Sequence, residues 1–143
     1  MIQRKQTIWL LLAAITGFLI TRVPLYAATL GGETVRKFIA TENLLLFAVA
    51  IIAALLGLVA VFLFKNRPLQ MKLSVLGVFV SIGFIALEVW RMGEFGREIA
   101  LLRQQTSYSW GALLPIAMMV FFILAAVNIR KDEKLVKSLD RLR

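Results

Sequence analysis

The 143-residue chain has no cysteine and no histidine. Without thiols or imidazoles it cannot build a disulfide framework, a zinc finger, a thiol redox site, a Cys-His nucleophile pair or a Ser-His-Asp triad. Charge is scarce as well: 17% of residues are charged, where a soluble domain carries about a quarter. Proline occurs only three times, so helical runs meet few breaks. Apolar residues are abundant, at 60% of the chain and a mean hydropathy of +0.83. They run in long blocks with the charges bunched between them. That pattern excludes a soluble globular domain and a disordered chain, and describes a single-domain polytopic membrane protein.

A helix needs about 20 apolar residues to cross the roughly 30 Å hydrocarbon core. Four blocks qualify: Gln6 to about Thr29, Asn43 to Phe64, Leu69 to Trp90, and Trp110 to Ile129. In lipid each must be helical, because only a helix satisfies its own backbone within one segment. The expected fold is therefore all-α, an antiparallel four-helix transmembrane bundle, with residues 130–143 as a basic cytoplasmic helix. A cleaved signal peptide is the rival reading of the first block, with Arg4 and Lys5 as its n-region and Ala27-Ala28 at its end. Arg22 and Pro24, and Leu25 three places before a cut after Ala27, favour a retained span.

The net charge of +9 does not point to nucleic acid, since the charges sit at block ends and act as topology determinants and headgroup partners. Arg4, Lys5, Lys65, Arg67, Lys72, Arg130, Lys131, Lys134, Lys137, Arg141 and Arg143 share one side. Arg22, Arg36, Lys37, Arg91, Arg97 and Arg103 lie on the other. The richer side is expected to be cytoplasmic, with both termini inside and anionic headgroups as its lipid partners. Tyr26, Trp90, Tyr108 and Trp110 fall at the outer boundary and Trp9 at the inner one, as amphipathic rings do.

The two outer loops carry helical spacing: Val35, Phe38 and Ile39 in one, Phe95, Ile99 and Leu102 in the other. Both read as short surface helices. Small residues four apart (Ala13 and Gly17, Ala53 and Gly57, Gly77 and Ser81) suit close helix packing in lipid. Met118 and Met119 read as core filler, and Pro115 as a slight bend in the fourth helix. No catalytic residue, metal site or cofactor is expected.

Charged residues inside a span are functional candidates. Arg22 and Glu88 each lie toward the outer end of their helix rather than at its middle. The bland readings are snorkelling to the headgroups or a structural ion pair between the first and third helices. They outweigh proton or substrate coupling. In the tail, Leu135, Leu139 and Leu142 recur at i, i+4 and i+7 among basic residues. That makes a basic amphipathic helix suited to an anionic leaflet or a partner helix. With the inner loop it forms a candidate docking face: Lys65, Asn66, Arg67, Gln70, Lys72, Arg130, Lys131, Asp132, Glu133, Leu135, Leu139, Asp140, Arg141 and Leu142.

Three motifs carry a resemblance. They are the opening Met1 to Thr7 followed by Leu10 to Ala14, the inner loop Phe62 to Leu73, and the ending Arg130 to Ser138 with Asp140 to Arg143. In these the chain resembles the bacterial family described as domain of unknown function 4293. Ile129 stands after Asn128, where that pattern has a basic residue. The resemblance implies four spans, a retained first helix and no established activity. All three motifs map to the expected cytoplasmic face. The leading expectation is a non-enzymatic accessory or assembly protein that docks a partner, or a second copy, through that face. The alternative is a small-solute or proton-coupled transporter subunit, although small multidrug transporters carry a carboxylate deep in their first helix and this first block has none.

Overall fold

A computed structural model describes residues 3–30, 33–101 and 105–140. Its elements are α1 (Gln3–Ile20), β1 (Pro24–Leu30), β2 (Glu33–Ile39), α2 (Leu44–Phe62), α3 (Arg67–Leu101), β3 (Gln105–Tyr108) and α4 (Leu114–Asp140), with 3-10 turns at Ala40–Glu42 and Trp110–Leu113. The protein is predominantly helical, as expected. Among the described residues three helices are long and apolar enough to cross a membrane, and Lys5–Ile20 is a shorter apolar helix. α1 packs on α2 and α4, and α3 packs on the same two, so α1 and α3 sit diagonally.

Local chemistry sets the helix ends. The Asn43 side chain accepts from the backbone N–H of Leu45 at 3.0 Å and of Leu46 at 3.2 Å, capping α2. Asn66 does the same for α3 through Leu69 at 3.3 Å. Pro68 and Pro115 stand in the first turns of α3 and α4, where a missing N–H costs nothing. The bend expected at Pro115 therefore has no cause.

Two expectations fail at one end of the molecule. The first apolar block does not stay helical to Thr29: α1 stops at Ile20, and Pro24 opens a strand. Residues 33–39 form a strand rather than a surface helix. With β3 they make a three-stranded antiparallel sheet in the order β2-β1-β3, in which Tyr26 opposes both Phe38 and Tyr108. The other expected surface helix is helical, but as the unbroken end of α3. At 35 residues, α3 is roughly 52 Å long at 1.5 Å per residue. Its last turns rise against the sheet, burying Phe95 and Ile99.

Small residues let the helices close. A Cβ added to Gly17 would lie 2.9 Å from the Ala54 Cβ and 3.0 Å from its backbone. One on Gly57 would lie 3.1 Å from the Ala14 nitrogen and the Leu10 oxygen. The α1–α2 contact is thus a backbone-to-backbone approach, as the four-residue spacing foretold. Gly77 lies under the Phe122 ring of α4. The buried interior is rich in Ala (Ala13, Ala50, Ala53, Ala54, Ala60, Ala125), while Leu11, Phe18, Ile52, Leu55, Phe79, Ile82, Ile116 and Ile123 point outward. Large apolar side chains such as Leu10, Phe84, Met118 and Phe122 are buried as well, so what departs from a soluble domain is the number of large apolar residues left outside.

Candidate functional site

The structure offers two places where chemistry could be held, one at each end. At the end away from the sheet, the α2–α3 connection and the last turns of α4 come together. Lys65, Asn66, Lys72, Arg130, Lys131, Lys134 and Lys137 are exposed there, and Arg67 is half-buried. The tail is one unbroken continuation of α4 as far as Asp140, with Leu135 and Val136 exposed. Glu133 accepts from Lys137 Nζ at 2.8 Å. That hydrogen bond, with Lys137's charge and lesser contributions from Arg130 and Arg67, holds its carboxyl below the usual range.

Two members of the expected docking face are internal. Asp132 is buried and accepts from the Gln6 side-chain amide, tying α4 to α1. Gln70 is buried and donates to the Ala60 carbonyl at 2.9 Å, tying α3 to the end of α2. Each ties two helices together, although Gln70 Oε1 is buried without a hydrogen-bond partner among the described residues. The side chains of Leu139 and Asp140, and residues Arg141 and Leu142, lie outside the described residues.

At the sheet end the expected Arg22–Glu88 pair does not form: the two side chains share no ion pair. Arg22 is exposed in the turn after α1. It lines a depression of about 900 Å³ between α1 and α2, with Phe18, Ile39 and Phe47. Glu88 is 3% exposed and lines a different groove, of about 500 Å³, between α3 and the start of α4. The diagonal placement of α1 and α3 explains the separation.

Glu88 belongs instead to a buried polar cluster that the sequence reading missed. Tyr26, expected in a headgroup belt, is fully buried beneath the sheet. Its ring stacks on Phe38 at 4.5 Å between centroids, with Phe95 tilted at 5.2 Å. Burial, and then the nearby Glu88 charge, push the Tyr26 phenol far above its ordinary range, so it remains protonated. Arg91, one turn beyond Glu88, donates to Glu94 at 2.7 Å and lies over the Trp90 ring at 5.3 Å. The Tyr26 hydroxyl, Glu88 Oε1 and Arg91 Nε are buried without a hydrogen-bond partner among the described residues. The signal available in the sequence was the Glu88–Arg91 spacing, which puts an acid and a base on one helix face. Trp90, Tyr108 and Trp110 are exposed here, as a headgroup-level belt would be, whereas Trp9 is half-buried against Phe121 at 6.0 Å.

Among the described residues no group of three or more carboxylates is placed to hold a metal ion. The sequence also matches a family model over residues 2–142, and the chain belongs to that family, described as domain of unknown function (DUF4293). The comparisons with curated proteins and with solved structures returned no match.

Proposed function

We propose that the chain is a four-span bacterial inner-membrane protein, an antiparallel transmembrane bundle of α1 to α4. In this reading it is a non-enzymatic accessory or assembly protein whose basic cytoplasmic face docks an acidic, partly apolar partner. Membrane residence is supported by the outward Leu, Ile and Phe of the helices, which in water would form an apolar patch far beyond that of a monomeric soluble protein. The observation that carries the docking role is the basic end itself. Leu135 and Val136 stand exposed among Lys131, Lys134 and Lys137, beside the basic α2–α3 connection. A solvated tail has no need of exposed leucine, whereas an acidic amphipathic partner or an anionic leaflet would use both charge and leucine.

Site-specific photo-crosslinkers at Leu135 and Lys72, installed in the full chain in cells, test the reading. A discrete protein adduct from both positions, lost when Leu135 and Val136 become serine, supports a docked partner. Lipid adducts alone would reject the docking role. The transporter reading draws on the buried Glu88 carboxyl, and solute-driven proton uptake in proteoliposomes would favour it.

A further inference from the structure

We propose that the groove between α3 and the start of α4 binds a primary ammonium group carried on an apolar chain, with Glu88 as its counter-charge. The groove holds about 500 Å³, within the range of small-molecule sites. Ile85, Val89, Leu113 and Ile116 line it, and the exposed rings of Tyr108 and Trp110 belong to its wall. Among the described residues that line it, Glu88 is the one with a charged side chain. It is 3% exposed, and its Oε1 has no hydrogen-bond partner among the described residues.

A carboxylate in an apolar wall needs a cation or donors. Neither Arg22 nor Arg91 forms an ion pair with Glu88, since Arg91 Nη1 goes to Glu94 and the guanidinium lies over Trp90, and the neighbouring Tyr26 hydroxyl makes no hydrogen bond to Glu88 Oε1. A primary ammonium supplies what is missing: a positive charge and three N–H donors for the carboxylate. The faces of Trp110 and Tyr108 suit a cation at the groove's wall, and the aliphatic lining suits a hydrocarbon chain. An anion is disfavoured, because the lining's charge is negative. A quaternary ammonium keeps the charge but brings no N–H donor, so it binds more weakly. Two sources share the favoured chemistry: a free alkylammonium amphiphile, and the headgroup of an aminophospholipid in the surrounding bilayer. The inference is independent of the docking role at the other end of the molecule.

The test uses the full chain in phosphatidylcholine nanodiscs, with Trp9→Phe and Trp90→Phe so that Trp110 alone reports. Titration with dodecylammonium should give a saturable fluorescence change. Dodecyltrimethylammonium should bind more weakly, and dodecanol at least about ten-fold more weakly, for want of charge-assisted hydrogen bonds. Glu88→Gln should lose a similar factor. Ile116→Phe, which narrows the groove and leaves Glu88 in place, should weaken binding while the bundle stays folded. Replacing part of the bilayer with phosphatidylethanolamine should raise the half-saturation point if the aminolipid occupies the groove, and leave it unchanged if the free amphiphile does. Equal affinity for dodecylammonium and dodecanol would overturn the proposal. So would wild-type binding in folded Glu88→Gln, or a purely linear response. The comparison of ligands on the unmutated groove decides the matter even if Glu88→Gln fails to fold.

Discussion

Gly17 and Gly57 set the distance between α1 and α2. In the proposed membrane setting no hydrophobic force draws helices together, so close packing must do it, and a side chain at either glycine removes the approach. Gly17→Val should destabilise the protein by about 1–3 kcal/mol, the usual cost of overpacking. Gly83, with open space where its Cβ would stand, should accept alanine without loss. Unfolding in mixed detergent and dodecyl sulfate separates the two. The buried Gln6–Asp132 hydrogen bond behaves differently, since deleting one partner strands the other. Gln6→Ala should cost about 1–3 kcal/mol, the penalty of an unsatisfied buried group, and Asp132→Leu made with it should recover part of that. If the double variant is no more stable than Gln6→Ala, the bond is not what holds α1 to α4 there. The small-residue spacing was legible in the sequence because helix geometry fixes which residues meet at i and i+4. The Gln6–Asp132 contact was not, since its partners lie 126 positions apart and only the closed ring of helices joins them. The Arg22–Glu88 pair misled for the same reason: depth along a helix was readable, but not which helices are neighbours.

At the level of elements, the sheet is what the sequence hid. Leu25 to Ala28 are as apolar as the helix before them, so composition merges strand and span. Val35, Phe38 and Ile39 fit helical spacing and not the alternation of a strand face, but so short a run does not decide the element by periodicity alone. The Gly31-Gly32 pair between two β-capable runs was the available hairpin signal. Phe38 and Phe95 clamp Tyr26 from two elements, so Phe95→Ala should release the sheet from α3. Amide exchange should then quicken across residues 24–39 while the middle of α2 stays protected; unchanged exchange in the strands would mean the aromatic stack is not what holds them. The tail gives a second test at this scale. Glu133's carboxyl is held low by Lys137, so its contribution to the last turns is present above the ordinary carboxylate range and is lost as the pH falls through its own lowered value. Lys137→Ala should move the Glu133 titration up toward the ordinary range, read directly by carbon NMR of the side chain. An unmoved titration would rule out the bond as the cause.

For the whole molecule, the proposed membrane residence rests on the exterior of the helices and on their length. The helices show many Leu, Ile and Phe outward and bring Ala, Gly and Ser into their closest contacts, and the two buried serines of α3 are served locally. Ser74 and Ser81 each donate to the carbonyl four residues back, at 2.9 and 2.8 Å, which removes a hydroxyl from competition without water. α3 at 35 residues and α4 at 27 each exceed the roughly 20 that a bilayer requires. Their excess falls at opposite ends. α3 rises against the sheet, while α4 carries the basic tail away from it. Basic residues that flank spans favour the cytoplasmic side, so in the proposed topology the sheet faces outward and the tail inward. A reporter that is active only outside the inner membrane should then be silent when fused after Arg143 and active when inserted between residues 31 and 32. Moving charge tests the physical cause rather than the outcome alone. With Lys65, Arg67 and Lys72 changed to neutral residues, and three lysines added beside Gln105, the bias between the two sides falls and a fraction of molecules should insert inverted. A bright C-terminal fusion on the unaltered chain would reverse the assignment and place the Glu88 groove, not the basic tail, on the cytoplasmic side.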